Sequence, residues 1–426
     1  MKDYYSLSEV ADLLGKSKET LRRWDNNGKL SAVREPMSNY RVYRKEQLKM
    51  FDELDFLFNP AENGNRVTPN HNFTVLELFA GAGGLAIGLE KAGLKCVALN
   101  EIDHWASETL RVNRPQWNVM EGDVRNLSFS HLENQIDVVT GGFPCQAFSY
   151  AGKKLGLNDA RGTLFYEFAR VVDETKPLIC VGENVRGLLN HDDGRTLEGM
   201  KSILHEIGYK PIDPRILKAI FYNVPQKRER LILVGIRKDI EIDFSYPKPY
   251  KKIYNLKDAL KAGELFPADV PESEGSLYPK RKREILDKVP PGGYWRDLPL
   301  NLQKEYMQKS FYLGGGKTGM ARRMSWEEPS LTLTCSPAQK QTERCHPDET
   351  RPFTVREYAR IQTFPDDWEF AGSVSNQYKQ IGNAVPVNLA KEVGYSVVRF
   401  LNEAYTAYGL QEKLVNINQS KLEFTK

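Results

Sequence analysis

Hydrophobic positions in this chain fall into short runs that end at a glycine or an acid, the pattern of buried strands feeding tight turns. Phe73-Thr-Val-Leu-Glu-Leu-Phe79 is one such run. It breaks at Ala80-Gly81-Ala82-Gly83-Gly84, before a helical stretch from Leu85 to Lys91. Val97-Ala-Leu-Asn-Glu101-Ile102 is a second, and Glu121-Gly122-Asp123-Val124 closes a third segment. Val138-Val139-Thr140 is β-branched and reads as a buried strand stopped by Gly141-Gly142. Cys180-Val-Gly-Glu183-Asn184-Val185 ends another, and Gln226-Lys-Arg-Glu-Arg230 opens a last apolar strand that runs to Gly235. A closing helix is expected from Val385 to about Tyr405. Strands alternating with helices predict an α/β core with a largely parallel sheet.

The first 58 residues follow a different pattern. Ser6-Leu-Ser-Glu9 has capping-box spacing, with Leu7, Val10, Ala11 and Leu14 on one helical face. Gly15-Lys16-Ser17 turns the chain into a second helix, Lys18 to Asn26. Leu21 and Trp24 point inward there, with Lys18, Arg22 and Arg23 outside, and Asn27-Gly28 stops it. Ala32 to Arg34 and Tyr40 to Arg44 predict a hairpin whose loop is Glu35 to Asn39. Helix, tight turn, helix and basic ribbon resemble the winged helix-turn-helix of the mercury-resistance-regulator and excisionase families. That resemblance implies DNA contacts through Lys18, Arg22 and Arg23 in the groove and Arg41 and Arg44 on the wing. A small packing or dimerisation domain would share the pattern. Residues 59–72, rich in turn formers and without apolar periodicity, read as a linker.

The chemistry lies where the runs end. Glycines after the first strand let a ligand approach the backbone, and the following helix offers free N–H groups and the positive end of its dipole. Such a turn suits a nicotinamide, a flavin, a nucleotide or a methyl donor about equally. Glu101 is placed to accept from a ribose diol, and Asp123 from an adenine amino group. Two strand-ending acids after one glycine turn favour an adenosine ligand. Pro144 stiffens the turn that presents the Cys145 thiol at the carboxyl edge of the sheet. A lone buried cysteine is usually a small core residue; this one comes before Glu183 at another strand end and Arg228 and Arg230 on one face of the next. Near the C-terminus, Arg351-Pro-Phe-Thr354-Val-Arg356-Glu357 and Gly382-Asn383-Ala384-Val385-Pro386 complete the order.

These six co-linear motifs, from about Phe73 to about Leu401, resemble the bacterial DNA (cytosine-5)-methyltransferases. The one small departure is Glu77, where that family more often carries Asp. The resemblance implies a Rossmann-like α/β core that uses S-adenosyl-L-methionine, with Phe79, Gly81, Gly83, Leu85, Glu101, Ile102, Asp123, Val124, Pro144, Leu164, Asn383 and Val385 around the cofactor. Cys145 would be the nucleophile that adds to C6 of cytosine, and Glu183, if partly buried and protonated, would donate to N3. Arg230, supported by Arg228, would hold the O2 side. The loop after Cys145, with Ser149, Lys153 and Lys154, would close over a base flipped out of the duplex.

By the same resemblance residues 73–245 and 351–410 are the catalytic core, 246–350 a smaller target-recognition domain, and 411–426 a tail. Basic clusters in the insert, Lys280-Arg-Lys-Arg283 among them, would mostly hold phosphates. Ser330 to Thr334 is a strand candidate near the DNA, and Gln339 to Arg344 a polar stretch suited to base contacts.

Composition narrows this picture further. The chain has 60 Lys+Arg against 56 Asp+Glu, net +4, and residues 1–50 alone hold 11 against 7, also +4. Any nucleic-acid surface must therefore come from local clustering. Cysteines at 96, 145, 180, 335 and 345 form no CxxC pair, so neither zinc nor a disulfide framework is indicated. No long apolar run or signal-peptide pattern is present. The expectation is a cytoplasmic, nucleoid-associated enzyme, monomeric on double-stranded DNA and without a metal, the protective partner of a restriction endonuclease. A tRNA cytosine methyltransferase of the same fold and a non-catalytic DNA-binding regulator remain as alternatives.

Overall fold

The computed structural model describes residues 3–35, 39–59, 64–144, 163–314 and 317–413. They form two compact units, Met1–Gly64 with Lys248–Lys252, and Asn65–Pro247 with Ile253–Lys426.

The first unit contains β1 (Tyr4–Ser6), α1 (Leu7–Leu14), α2 (Lys18–Asn26), β2 (Val33–Arg34) and β3 (Arg41–Arg44), with strand order β1-β3-β2. Ser6 caps α1 by accepting from Glu9 N at 3.3 Å, and Glu9 accepts from Ser6 N at 2.8 Å, the reciprocal box that the spacing predicted. Val10, Leu13, Leu21, Leu30, Tyr43 and Leu48 make the core. Strand β1 was not anticipated, because three residues are too few to display an alternation. Arg41 departs from the wing contact expected of it. It pairs with Asp25 at 2.6 Å, and Asp25 also accepts from Ala32 N. The period of two puts Arg41 on the same face of β3 as the fully buried Tyr43, so its charge ties the ribbon to α2. Lys248–Lys252 joins this unit, with Tyr250 beside Gly64.

The second unit is built on seven strands: β4 (Thr74–Leu78), β5 (Lys95–Glu101), β6 (Asn118–Glu121), β7 (Val138–Gly141), β8 (Ile179–Val185), β9 (Tyr209–Lys218) and β11 (Glu229–Arg237). They run in the order β6-β5-β4-β7-β8-β11-β9. The first five are parallel, and β11 is antiparallel to both its neighbours. Helices α3 (Gly84–Lys91), α4 (His104–Asn113), α5 (Leu164–Thr175) and α6 (Arg195–Glu206) connect them. Leu76, Leu78, Val139, Phe143, Phe165, Phe168 and Leu233 centre the core on one face. The two-residue β10 (Gln226–Lys227) pairs in parallel with β12 (Ser330–Leu331). The expected strand Ser330–Thr334 is thus only two residues long and sits against the catalytic core.

The insert holds α7 (Leu256–Leu260), α8 (Lys280–Leu286) and α9 (Leu300–Met307). Only residues from Tyr278 to Cys345 share a core of their own. Residues before it are fastened to the C-terminal helices α10 (Val355–Ile361) and α11 (Val374–Asn383). The fully buried Arg360 donates to the carbonyls of Ala268 and Asp269, and Tyr378 Oη accepts from Ser276 N. The core that the insert builds for itself thus spans less than the 246–350 expected of it. Two of the four charges in the run Lys280-Arg-Lys-Arg283 are committed internally: Arg281 grips Glu305 at 2.7 Å, and Lys282 pairs with the buried Glu343. Glu343 and Arg344, expected among base contacts, are 0 % and 6 % exposed, and Arg344 donates to Thr332 O. Internal partners explain why these charges are interior.

The final helix α12 (Val387–Tyr408) packs on α3. A Cβ at Gly84 would lie 2.3 Å from Val385 O, so only glycine lets the two approach. Residues 65–72 are no free linker either. Asn65 is buried and donates to Glu392 at 3.0 Å, Asn402 bonds Thr68 O and Asn70 N, and the His71 ring lies 4.8 Å from Tyr405. The Asn65 side chain and the backbone of Thr68 and Asn70 are bonding α12 instead.

Candidate active site

The chain leaves β4 for β5 on one side and returns to β7 on the other. That reversal opens a crevice at the carboxyl ends of β4 and β7, where open α/β sheets bind ligands. A cavity of about 770 Å³ lies there. At its floor the backbone of Phe79 takes φ 57°, costly for an aromatic residue, and the hydrogen bond from Ala80 N to Asn100 O holds the turn. Eleven of the twelve expected cofactor residues line the cavity: Phe79, Gly81, Leu85, Glu101, Ile102, Asp123, Val124, Pro144, Leu164, Asn383 and Val385. Gly83 does not. It caps α3 at φ 83° with its Cα facing Leu110 and Trp368, and Gly84 takes the lining position.

Glu101 accepts from Gly81 N at 2.7 Å and from Asp103 N at 2.8 Å, so its carboxylate staples the glycine turn to the end of β5. Burial holds its pKa above the ordinary carboxylate value despite those bonds. Asp123 is bound by Arg125, which also lines the cavity and holds the Asp123 carboxyl below its ordinary range. Asn100 donates to Met120 O and Gly122 O and fixes the loop that carries Asp123. Ile102 is 66 % exposed, an apolar face with nothing on it. At the mouth Lys379 pairs with Asp103 at 2.7 Å. Asn100, Arg125 and Lys379 carried no motif signal; Asn100, one residue before an expected ligand, was the most findable.

The other end of the cavity is built around two guanidiniums. Gln226, Arg228 and Arg230, set on one face by the alternation, are 0 %, 3 % and 8 % exposed. Arg230 forms an ion pair with Glu183. The carboxyl is buried as expected, but its partner is a cation, so proton donation requires that pair to rearrange around a base. Arg228 donates to Leu333 O at 3.2 Å and to Gly382 O at 2.9 Å. Burial first, then the charge of Arg230, bring its pKa down to about 9. Its bonds make it a brace between three chain segments. Gly382 allows the closeness: a Cβ there would lie 2.5 Å from Thr334 C. Asn184 Nδ2 donates to Phe143 O at 2.8 Å, tying the approach to Pro144 to the strand that carries Glu183. Cys145, Ser149, Lys153 and Lys154 lie outside the described residues.

A sulfonium-bearing adenosine fits this site. Glu101 and Asp123 line it, apolar surfaces flank them, and the buried Oε2 of Glu77 has no hydrogen-bond partner among the described residues. Residues 73–399 match the C-5 cytosine-specific DNA methylase family. The chain belongs to that family. It is a DNA (cytosine-5)-methyltransferase whose methyl donor is S-adenosylmethionine, and the RNA-directed and non-catalytic alternatives give way. It is similar to the Type II methyltransferase M.Eco47II of Escherichia coli, 66 % identical over 405 residues that cover 95 % of this chain and 97 % of the relative. M.Sau96I of Staphylococcus aureus is 52 % identical over 356 residues, 83 % and 82 % of the two chains. Among solved structures, a putative DNA modification methyltransferase encoded within a prophage of E. coli covers 78 % of this chain and 100 % of its own at TM-score 0.61 and 23 % identity. DNMT2 of Spodoptera frugiperda covers 76 % and 99 % at TM-score 0.55 and 18 % identity. Both show the fold. Residues 6–43 match the MerR family of regulatory proteins, and no helix among the described residues is long and apolar enough to cross a membrane.

On the first unit, Lys18, Arg22, Arg23 and Arg44 are exposed, with Arg22 3.1 Å from Glu19. His104, Glu108 and Glu121 cluster on α4 and β6, but Arg111 already bridges both carboxylates at 2.6 and 2.7 Å, so the cluster supplies its own cation.

Proposed function

We propose that the reaction proceeds through a covalent Cys145–C6 adduct, with Glu183 and Arg230 on the flipped cytosine and Arg228 as the brace that positions them. The observation that carries this is the Asn184 bond to Phe143 O, which couples the segment leading into Pro144-Cys145 to the strand bearing Glu183. The Cys145 thiolate adds to C6 and the ring electrons shift onto C5, making it nucleophilic. S-adenosylmethionine supplies an electrophilic methyl group at that carbon. Glu183 turns from Arg230, takes a proton from solvent and donates it to N3, and Arg230 moves its charge to O2. The C5 proton then leaves to a base, and the thiolate departs by elimination. Ser149, Lys153 and Lys154 hold backbone phosphates around a base whose extrusion costs a few kcal/mol. Duplex DNA carrying 5-fluorocytosine blocks the elimination. A stable covalent complex that Cys145→Ser cannot form supports the scheme, and one formed by the Ser variant refutes it.

The relatives are named Type II methyltransferases. Protection of host DNA from a cognate endonuclease follows from that likeness, with the enzyme monomeric on DNA at the nucleoid. Base-resolution methylation mapping in expressing cells identifies the protected sequence, and sedimentation of the DNA complex reads its stoichiometry. A second reading concerns the winged unit: its MerR match and its exposed Lys18, Arg22, Arg23 and Arg44 favour binding to an operator near its own gene. Full-length protein should bind the upstream DNA, and Arg22→Ala/Arg23→Ala should weaken that binding.

A further inference from the structure

Glu77 stands fourth in the five-residue strand β4 and is 1 % exposed, yet it lines the methyl-donor cavity. Strand register sets it beside Thr140 on β7 and Leu99 on β5. Glu77 Oε2 and Thr140 Oγ1 are both buried with no hydrogen-bond partner among the described residues. A carboxyl oxygen left so in an interior strand is destabilising, and no described residue satisfies it. Its charged neighbours are Glu101 from β5 and Glu183 from β8, the latter carrying Arg230, with the Cys96 thiol on β5 also close. Glu101 marks the ribose position and Glu183 the cytosine position. Strand β4 lies between β5 and β8 in the sheet, so Glu77 stands between those two carboxylates on the cavity wall.

We propose that Glu77 is the charge-selecting residue of the cavity: it carries a proton while the cavity is empty and releases it to solvent when a sulfonium enters, pairing with the cation. Burial foremost, and then the carboxylates of Glu101 and Glu183, hold its pKa well above the ordinary value, so the proton is present to be released. The balance is simple: a neutral carboxyl and a cation become a carboxylate–sulfonium pair and one free proton. The demethylated product has a neutral thioether at that position and offers no such exchange. The enzyme thereby favours its donor over its own product by charge, in a pocket whose shape fits both.

This rests on the donor occupying the cavity, and the test separates the two statements. Full-length protein is titrated calorimetrically with S-adenosylmethionine and with S-adenosylhomocysteine near neutral pH, in two buffers of different ionisation enthalpy. The donor should release close to one proton more than the product. Glu77→Gln should abolish that difference and weaken donor binding by about tenfold, the equivalent of one pKa unit, with product affinity little changed. Glu77→Asp should keep the proton release. Equal proton release by the two ligands in the wild type overturns the proposal, as does a difference that persists in Glu77→Gln. If the donor binds with no proton release, the cavity assignment stands and only the role of Glu77 falls. If the donor does not bind, both fall. Should Glu77→Gln fail to fold, the wild-type comparison alone decides.

Discussion

At the donor end of the cavity three carboxylates, Glu77, Glu101 and Asp123, stand at or near the carboxyl ends of neighbouring parallel strands. At the other end two guanidiniums, Arg228 and Arg230, enter from the antiparallel strand side. The acids are placed by their own strands and turns: Glu101 bonds the backbone of Gly81 and Asp103, and Asp123 that of Arg125. The arginines are placed by distant chain. Arg228 reaches Leu333 and Gly382, 105 and 154 residues away. The donor end is thus a local product of the sheet edge, while the base end exists only once the insert and the C-terminal helices have closed on it. Damage should follow the same division, with donor affinity lost at one end and chemistry or assembly at the other.

The sharpest break is Cys145→Ser, expected to remove methylation by a factor of at least about 10⁴ while DNA and donor still bind. Radiolabelled methyl transfer and gel shift read the two separately. Glu183→Gln should lower the single-turnover rate by about 10²–10⁴ with little change in DNA affinity, and equal losses would make it a positioning residue only. Arg228→Lys keeps a charge but cannot reach two carbonyls. It should destabilise the enzyme by about 2–3 kcal/mol in denaturant unfolding and depress kcat and donor affinity together. An intact unfolding midpoint would show that the base end does not depend on that brace.

Acidification probes the donor end. Glu101 is held above its ordinary value of 4.5 and Glu77 further above, so both take up protons as the pH falls and both must be ionised to serve the donor. Donor affinity should therefore weaken with decreasing pH, and Glu77→Gln should flatten that dependence. The sign for stability is opposite. The native state holds the Glu77 proton more tightly than the unfolded chain, so this residue's contribution declines as pH rises above 4.5. Ligand-free Glu77→Gln should lose that decline. The smallest effect is expected from Arg22→Ala/Arg23→Ala, which should leave the methylation rate and target sequence unchanged.

The division also decides what was legible in the sequence. Glu101, Asp123 and the glycine turn follow from strand ends and breakers, and alternation set Gln226, Arg228 and Arg230 on one face without showing that the face is interior. The brace of Arg228 was not legible, because its partners are backbone carbonyls without any sequence signature. Charge composition misled where charges pair internally, as with Arg41 on Asp25 and Lys282 on Glu343. Turn-rich residues 65–72 read as a linker because nothing local reveals the surface of α12 that they bond. Glu77 was visible only as a family departure; that it lacks a partner required knowing what surrounds it.

The packing of α12 on α3 has a consequence for synthesis. The turn that cradles the donor is made early, but the wall behind Gly84 is Val385 and the helix that follows, more than 300 residues later. The winged unit draws on no residue later than Lys252. At ~5–20 residues per second, roughly 8 to 30 s separate the emergence of Lys252 from that of Tyr408. During that interval a nascent chain can own a finished winged unit and no finished enzyme. Each new molecule thus acquires its methylating capacity last.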